Sequence, residues 1–260
     1  MKLTLEPALG EVIKAEKRWT PAPPFLIHIM PHNALILEEA SLQIVPRRMR
    51  KHPNCIAYRD RFGLEPEKQI LDENFHHELI RTEGAGVTRK AGRPDVVHFA
   101  LLDVISTPLF LKGEIDLFVH TLDGKTIGIR RGTRLPRTLH RFCGLMSKIL
   151  SAEMGSEEAE LFDYEQNETI GSLLKRVGAR YVVSLTKSGV LSDLEGTVAE
   201  LSKRENGGVA WIVGGFAFGH FQPEVIERSD LVISISDLSL PAHVVTARLS
   251  YEIEKRVLSI

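Results

Sequence analysis

The chain has 260 residues, 43% of them apolar and 26% charged, which suffices for a globular core and argues against disorder. Lys plus Arg number 33 against 34 Asp plus Glu, a formal charge of −1 that excludes a uniformly basic nucleic-acid binder, so any such site has to be local. Cys55 and Cys143 are the only cysteines, which excludes a disulfide scaffold and a cysteine zinc finger and points to a reducing compartment.

Residues 1–24 end in Pro21, Pro23 and Pro24 and read as an N-terminal appendage. Their mix of Glu6, Glu11, Lys14, Glu16 and Lys17 lacks the apolar stretch of a signal peptide. No run anywhere approaches the ~20 apolar residues of a membrane helix, so a soluble, cytoplasmic protein is expected. Phe25–Met30, short, apolar and bounded by prolines, reads as a buried strand. Leu35–Val45, with Glu38 and Glu39 between its apolar residues, reads as a helix stopped by Pro46. Residues 47–92 are irregular. They carry a basic cluster (Arg47, Arg48, Arg50, Lys51, then Arg59 and Arg61), a short strand near Gln69–Leu71 and a helix near Phe75–Arg81, and Gly84, Gly86 and Gly92 mark a turn. The spacing of Val97, Leu101, Val104 and Ile105 predicts a helix over Pro94–Thr107.

Ile115–Leu122 and Lys125–Ile129 flank Asp123-Gly124, a hairpin signal. A helix is expected from about Pro136 to Ala152. Residues 153–168 hold seven acids and no Lys or Arg, and read as solvated surface. Helices at Ile170–Val177, Gly196–Lys203 and Pro241–Val257 alternate with strands at Tyr181–Leu185, Val209–Val213 and Leu231–Ile235. That alternation implies an α/β fold with a largely parallel sheet.

Three features carry chemistry. Lys125–Lys148 contains no acid but has Lys125, Arg130, Arg131, Arg134, Arg137, Arg141 and Lys148. With Arg134 at a helix entry, Arg134, Arg137 and Arg141 would share one face and suit phosphates; the competing reading pairs this face with the acids that follow. In Arg93-Pro94-Asp95, proline fixes the chain between a base and an acid, so Asp95 can orient the Arg93 guanidinium, or simply favour a helix N-terminus. Third, Gly214-Gly215-Phe216-Ala217-Phe218-Gly219-His220 follows a strand but has neither the phosphate-loop Gly-Lys-Ser/Thr nor the dinucleotide G-x-G-x-x-G spacing. It reads either as a tight strand-to-helix connection or as a ligand loop. Leu185–Gly189 and Ser234–Pro241 end their own strands, and ligands of open α/β sheets bind at such ends. Apolar and backbone groups there suit an adenine and a sulfonium better than a phosphate. The ten histidines lack ligand spacing, Cys143 reads as packing, and core packing is the safer reading of Phe216, Phe218 and Phe221.

The stretches Phe75-His76-His77, Arg93-Pro94-Asp95, Arg134–Met146, Gly214–His220 and Ser234–Leu240 together resemble one family, the ribosome-biogenesis pseudouridine N1-methyltransferases of archaea and eukaryotes, in the SPOUT α/β-knot class. The resemblance spans nearly all of residues 25–260, and implies a single methyltransferase domain there with insertions around 47–92 and 112–132. It implies a C-terminal trefoil knot, β-hairpin and helical extensions, S-adenosyl-L-methionine as cofactor and a homodimer on small-subunit ribosomal RNA. Ribosomal or assembly proteins would be further partners, with no membrane and no metal. The family's RNA-contacting arginines fall on Arg93, Arg134, Arg137 and Arg141. Its cofactor loops fall on Leu185, Thr186, Gly214, Gly215, Gly219, Ser234, Ile235, Ser236, Leu238 and Leu240. No general base is assigned: Asp95 is a weak candidate that more readily orients Arg93. The basic stretch after residue 47 departs from the family pattern, interrupted by Asp60, Phe62 and Glu65. The alternative function is a non-catalytic, dimeric rRNA-binding assembly factor or RNA chaperone.

Overall fold

Ala34, Leu35, Ile36 and Leu37 form one unbroken apolar run, and this run lies in β1 (Asn33–Ala40), the central strand of a seven-stranded sheet. The helix expected over Leu35–Val45 is therefore corrected. A strand buried on both faces shows a continuous apolar run rather than a periodic one. Glu38 and Glu39, which mimic a helix's polar face, are themselves buried. The computed structural model describes residues 33–82, 89–204 and 208–258. The appendage at 1–24, the strand expected at Phe25–Met30, and Gly84 and Gly86 lie outside the described residues.

The other strands are β2 (Ile115–Thr121), β3 (Thr126–Ile129), β4 (Phe162–Glu165), β5 (Ala179–Leu191), β6 (Gly208–Gly214) and β7 (Leu231–Ser234). Their order is β4-β3-β2-β1-β6-β5-β7. From β2 to β7 every neighbouring pair is parallel, as expected; β3 and β4 extend the sheet antiparallel. The β2–β3 connection is the anticipated hairpin, with Gly124 at φ 72°. The acidic stretch is more structured than expected, because Phe162 is buried and β4 pairs with β3.

The helices are α1 (Pro53–Phe62), α2 (Glu73–Thr82), α3 (Pro94–Ile105), α4 (Pro108–Lys112), α5 (Leu139–Leu150), α6 (Ser156–Leu161), α7 (Ile170–Arg176), α8 (Leu194–Ser202), α9 (Pro223–Glu227) and α10 (Ala242–Val257). Alternation along β1 sends Leu35 and Leu37 to one face of the sheet and Ala34 and Ile36 to the other. The first face packs on Val97, Leu101 and Val104 of α3, Phe142 and Met146 of α5, Val198 of α8 and Leu249 of α10. The second packs on Ile170 and Leu173 of α7 and Val225 of α9. This is a three-layer α/β arrangement. A separate small core of Val45, Met49, Cys55, Leu71, Leu79 and Ala91 binds α1 and α2 together. The strand expected near Gln69–Leu71 is reduced to one antiparallel bridge, Ile44 to Ile70. Among the described residues no helix is long and apolar enough to cross a membrane.

β5 outruns its expected end at Leu185. Leu185 and Val190 both lie opposite Ile233 of β7, so the four residues between them loop out. Gly189 makes this possible, since a Cβ there would sit 2.5 Å from the Ile233 carbonyl carbon.

Candidate functional site

Three strand ends meet at the carboxyl edge of the parallel sheet. β5 delivers Leu185, Thr186 and Lys187; β6 delivers Gly214 and the turn to Phe221; β7 delivers Ser234 and the loop into α10. Together they enclose a cavity of about 310 Å³. Of the residues singled out from the sequence, Leu185, Thr186, Gly214, Gly219, Ser234, Ile235, Ser236, Leu238 and Leu240 line it. The last loop holds its own shape: Ser234 Oγ donates to the Ser236 carbonyl at 2.7 Å, and the Leu238 amide donates to Ser236 Oγ at 3.0 Å.

Gly215 does not line the cavity. It is buried against β1, where its amide donates to the Glu38 carbonyl and its carbonyl accepts from the Ser41 amide, both at 2.8 Å. A Cβ at Gly215 would lie 2.7 Å from Ala40 Cα, so this glycine is needed for close packing of two backbones. Lys187, Phe216, Phe218 and Ser239, which fall within the three loops singled out from the sequence, also line the cavity, and Val245 of α10 lines it from outside them. Phe221 is a core residue and Phe216 packs edge-on against it at 5.7 Å, as a packing interpretation expects. Phe218 departs from that interpretation and is 64% exposed at the cavity.

No Asp, Glu or Arg lines the cavity among the described residues, and Lys187 is its one formal charge. Backbone amides and carbonyls, small hydroxyls and the apolar walls of Leu238, Leu240 and Val245 suit a largely uncharged heteroaromatic ligand with a polar tail. The donor set offers no cradle of basic groups for a phosphate.

The carboxyl end of β1 lies beside this cavity. Glu38 receives His120 Nδ1 at 2.8 and 2.9 Å, and His120 Nε2 bonds the Glu168 carbonyl at 2.9 Å. Burial raises the Glu38 carboxyl against the opposing pull of His120. Burial also opposes charging of His120, but the bond and charge of Glu38 outweigh it and raise the imidazole. This pair locks β1 to β2.

A run of contacts leads from the cavity to the basic residues. Ser41 bonds Gly215 through its amide and receives the Arg93 amide on Oγ at 2.7 Å. Arg93 forks onto Asp95, with Nε at 2.8 Å from Oδ1 and Nη2 at 2.7 Å from Oδ2. Burial alone would raise Asp95, but the Arg93 bond and charge outweigh it and hold the carboxyl low. One turn on, His98 stacks on Phe142 of α5 at 4.4 Å and bonds the Pro136 carbonyl at 2.7 Å. Pro136 sits between Arg134 and Arg137.

α5 begins at Leu139, with Thr138 as N-cap, rather than at Pro136. Arg134 and Arg137 therefore precede the helix and only Arg141 is helical, so a single shared helix face is corrected. All three are exposed, and among the described residues none has an ion-pair partner. The acids that follow instead neutralise the flanks: Asp163 pairs with Arg130 and Glu158 with Lys148. Among the described residues no cluster of His, Cys, Asp and Glu could hold a metal.

Known proteins share this sequence and shape. The family profile "EMG1/NEP1 methyltransferase" matches residues 35–254. The ribosomal RNA small subunit methyltransferase Nep1 of Thermococcus sibiricus is 32% identical over 72% of this chain and 83% of its own length. The Archaeoglobus fulgidus protein of the same name is 33% identical over 86% of this chain and 96% of its own. A crystal structure of Archaeoglobus fulgidus Nep1 bound to S-adenosylhomocysteine superposes with a TM-score of 0.73 at 30% identity, covering 88% of this chain and all of that one. The chain belongs to the EMG1/NEP1 methyltransferase family.

Proposed function

We propose that this protein methylates N1 of a pseudouridine in small-subunit ribosomal RNA, with S-adenosylmethionine in the cavity at the strand ends. The observation that carries the reading is the adjacency just described. A cavity fit for an adenosyl thioether connects through Ser41, Arg93 and His98 to exposed arginines that have no acidic partner among the described residues. The similar structure bound to S-adenosylhomocysteine, the demethylated product, supports the cofactor assignment.

Leu185, Thr186, Gly214, Gly219, Ser234, Ile235, Ser236, Leu238 and Leu240 would hold the cofactor. When bound, it supplies a methyl group made electrophilic by the sulfonium. Pseudouridine is joined to ribose through carbon, so its N1 carries a proton and is open to alkylation; uridine's N1 is blocked by the glycosidic bond. In the reaction the N1–methyl bond forms, the sulfur–methyl bond breaks and the N1 proton leaves. The protein's work is positioning and exclusion of water. Arg134, Arg137 and Arg141 hold phosphates, while Arg93, fixed by Asp95, presents a rigid fork to the target nucleotide. The base reaches the site from a loop or by leaving its stack. The same reading takes the protein as a cytoplasmic homodimer with a C-terminal trefoil knot, acting in small-subunit biogenesis. Residues 25–260 would be one domain and 1–24 an appendage.

The test is transfer of labelled methyl to small-subunit rRNA by wild type and by Gly214→Arg, which fills the cavity. The variant should lose transfer and keep RNA affinity. Transfer retained by the variant would contradict the cofactor site. Tight RNA binding by wild type with no transfer at all would favour the assembly-factor role.

A further inference from the structure

Glu39, next to last in β1, is in an unusual state. Its φ is 52°, in the left-handed region where a non-glycine side chain is strained, and it is buried. Strain at a buried charged residue calls for a reason, and its partners supply one. One carboxylate oxygen accepts the Gln222 amide at 2.6 Å, at the far end of the glycine turn. The other forms an ion pair with Lys90, and the two side chains are only 4% and 12% exposed. Lys90 Nζ lies 4.5 Å from the centroid of the Phe216 ring. The Lys90 stem also covers Gly219, where an added Cβ would stand 3.3 Å from Lys90 Cε. Phe216 and Gly219 both line the cavity. The pair thus lies directly behind the cavity wall, with Lys90 against two points of the turn and Glu39 holding its end.

A buried ion pair is weak evidence for stability, because desolvation cancels much of its attraction. Its charge balance is a different matter, since an unpaired charge behind a low-dielectric wall acts on whatever charge the cavity holds. We propose that Glu39 and Lys90 form a positioning element that shapes the 214–222 turn and adds no net charge behind the cavity wall, and so sets how the cavity discriminates a sulfonium cofactor from its uncharged thioether product. This rests on the cavity taking S-adenosylmethionine. With the pair intact, Glu39 and Lys90 add no net charge to that of Lys187, which lines the cavity. With Glu39 neutralised, the Lys90 ammonium is uncompensated and repels the sulfonium but not the thioether.

The test is calorimetric binding of S-adenosylmethionine and S-adenosylhomocysteine to the full chain. Wild type is compared with Glu39→Gln, Glu39→Gly and the double variant Glu39→Gln with Lys90→Met. Glu39→Gly suits the left-handed backbone and guards against loss of fold. The ratio of the two dissociation constants, cofactor over product, should rise on the order of tenfold in both single variants at an effective dielectric of about 20. It should return to the wild-type ratio in the double variant, in which these two positions again carry no net charge. An unchanged ratio in the single variants, whether affinities hold or fall together, would overturn the proposal and leave the pair a structural contact. Wild type binding neither compound would instead refute the cofactor assignment itself, a separate and distinguishable failure.

Discussion

Arg93 and Asp95 face each other across Pro94 in a two-bond fork, Nε to Oδ1 at 2.8 Å and Nη2 to Oδ2 at 2.7 Å. The fork fixes a guanidinium that is about a third exposed at the entry of α3. Asp95→Asn removes the charge and one acceptor while keeping the shape. We expect the melting temperature to change little and RNA affinity to fall by about tenfold, within the ~1–3 kcal/mol range of a lost specific contact. Filter binding at fixed salt checks this; wild-type affinity in the variant would remove Asp95 from the orienting role.

Arg134, Arg137 and Arg141 are exposed and, among the described residues, free of acidic partners, so changing them should cost little stability. Each Arg→Ala variant should weaken RNA binding and reduce the slope of log affinity against log salt by about 1, the signature of one lost phosphate contact. Arg130 is the internal control. It is paired with Asp163, and Arg130→Ala should lower stability more than the salt slope.

Gly189 and Gly144 make an opposed pair. A Cβ at Gly189 would lie 2.5 Å from the Ile233 carbonyl carbon, while one at Gly144, within α5, meets nothing within 4 Å. Gly189→Ala should destabilise by about 1–3 kcal/mol through overpacking. It should also weaken cofactor binding, because β7 carries Ser234 into the cavity. Gly144→Ala should stabilise by about 0.5–1 kcal/mol by improving helix propensity. Urea unfolding of both variants gives the answer, and equal effects would refute the packing account of the β5 bulge.

His76 is a pH reporter for the 45–91 core. It is fully buried, its Nδ1 accepts the Asp72 amide at 3.1 Å, and its Nε2 meets Gln69 Oε1 at 3.1 Å. Burial lowers its pKa from 6.5 to about 4. Between those values the unfolded chain binds the proton and the folded chain does not. Stability from this group is therefore complete above pH 6.5 and lost as pH falls towards 4, by up to about 3 kcal/mol. His76→Gln should be less stable than wild type at pH 7, with the gap narrowing at pH 4.5. A gap independent of pH would show that His76 is not the titrating group.

The alternating strands and helices of the last third are legible in the sequence because each is short, regular and bounded by turn residues. β1 is not, because Glu38 and Glu39 interrupt its apolar run with charges that only tertiary partners explain, namely His120 and Lys90. The helix at 53–62 is hidden because Cys55, Ile56, Ala57 and Tyr58 run together instead of recurring at helical spacing, although Pro53 at its start and Gly63 at φ 67° beyond its end are ordinary helix punctuation. The cavity loops are visible from their positions after strands. Gly215 is misplaced among them because sequence does not separate a glycine that admits a ligand from one that admits a neighbouring backbone, here Ala40. Glu39 and Lys90 stand far apart in the chain and match no motif, so only the folded structure brings them to the cavity wall.

The central claim is methyl transfer to N1 of pseudouridine, and its most direct test uses two RNA hairpins identical except for pseudouridine or uridine in the loop. With labelled S-adenosylmethionine, transfer should occur to the pseudouridine hairpin alone. Equal transfer to both would contradict the account, because uridine has no free N1 to accept the methyl group.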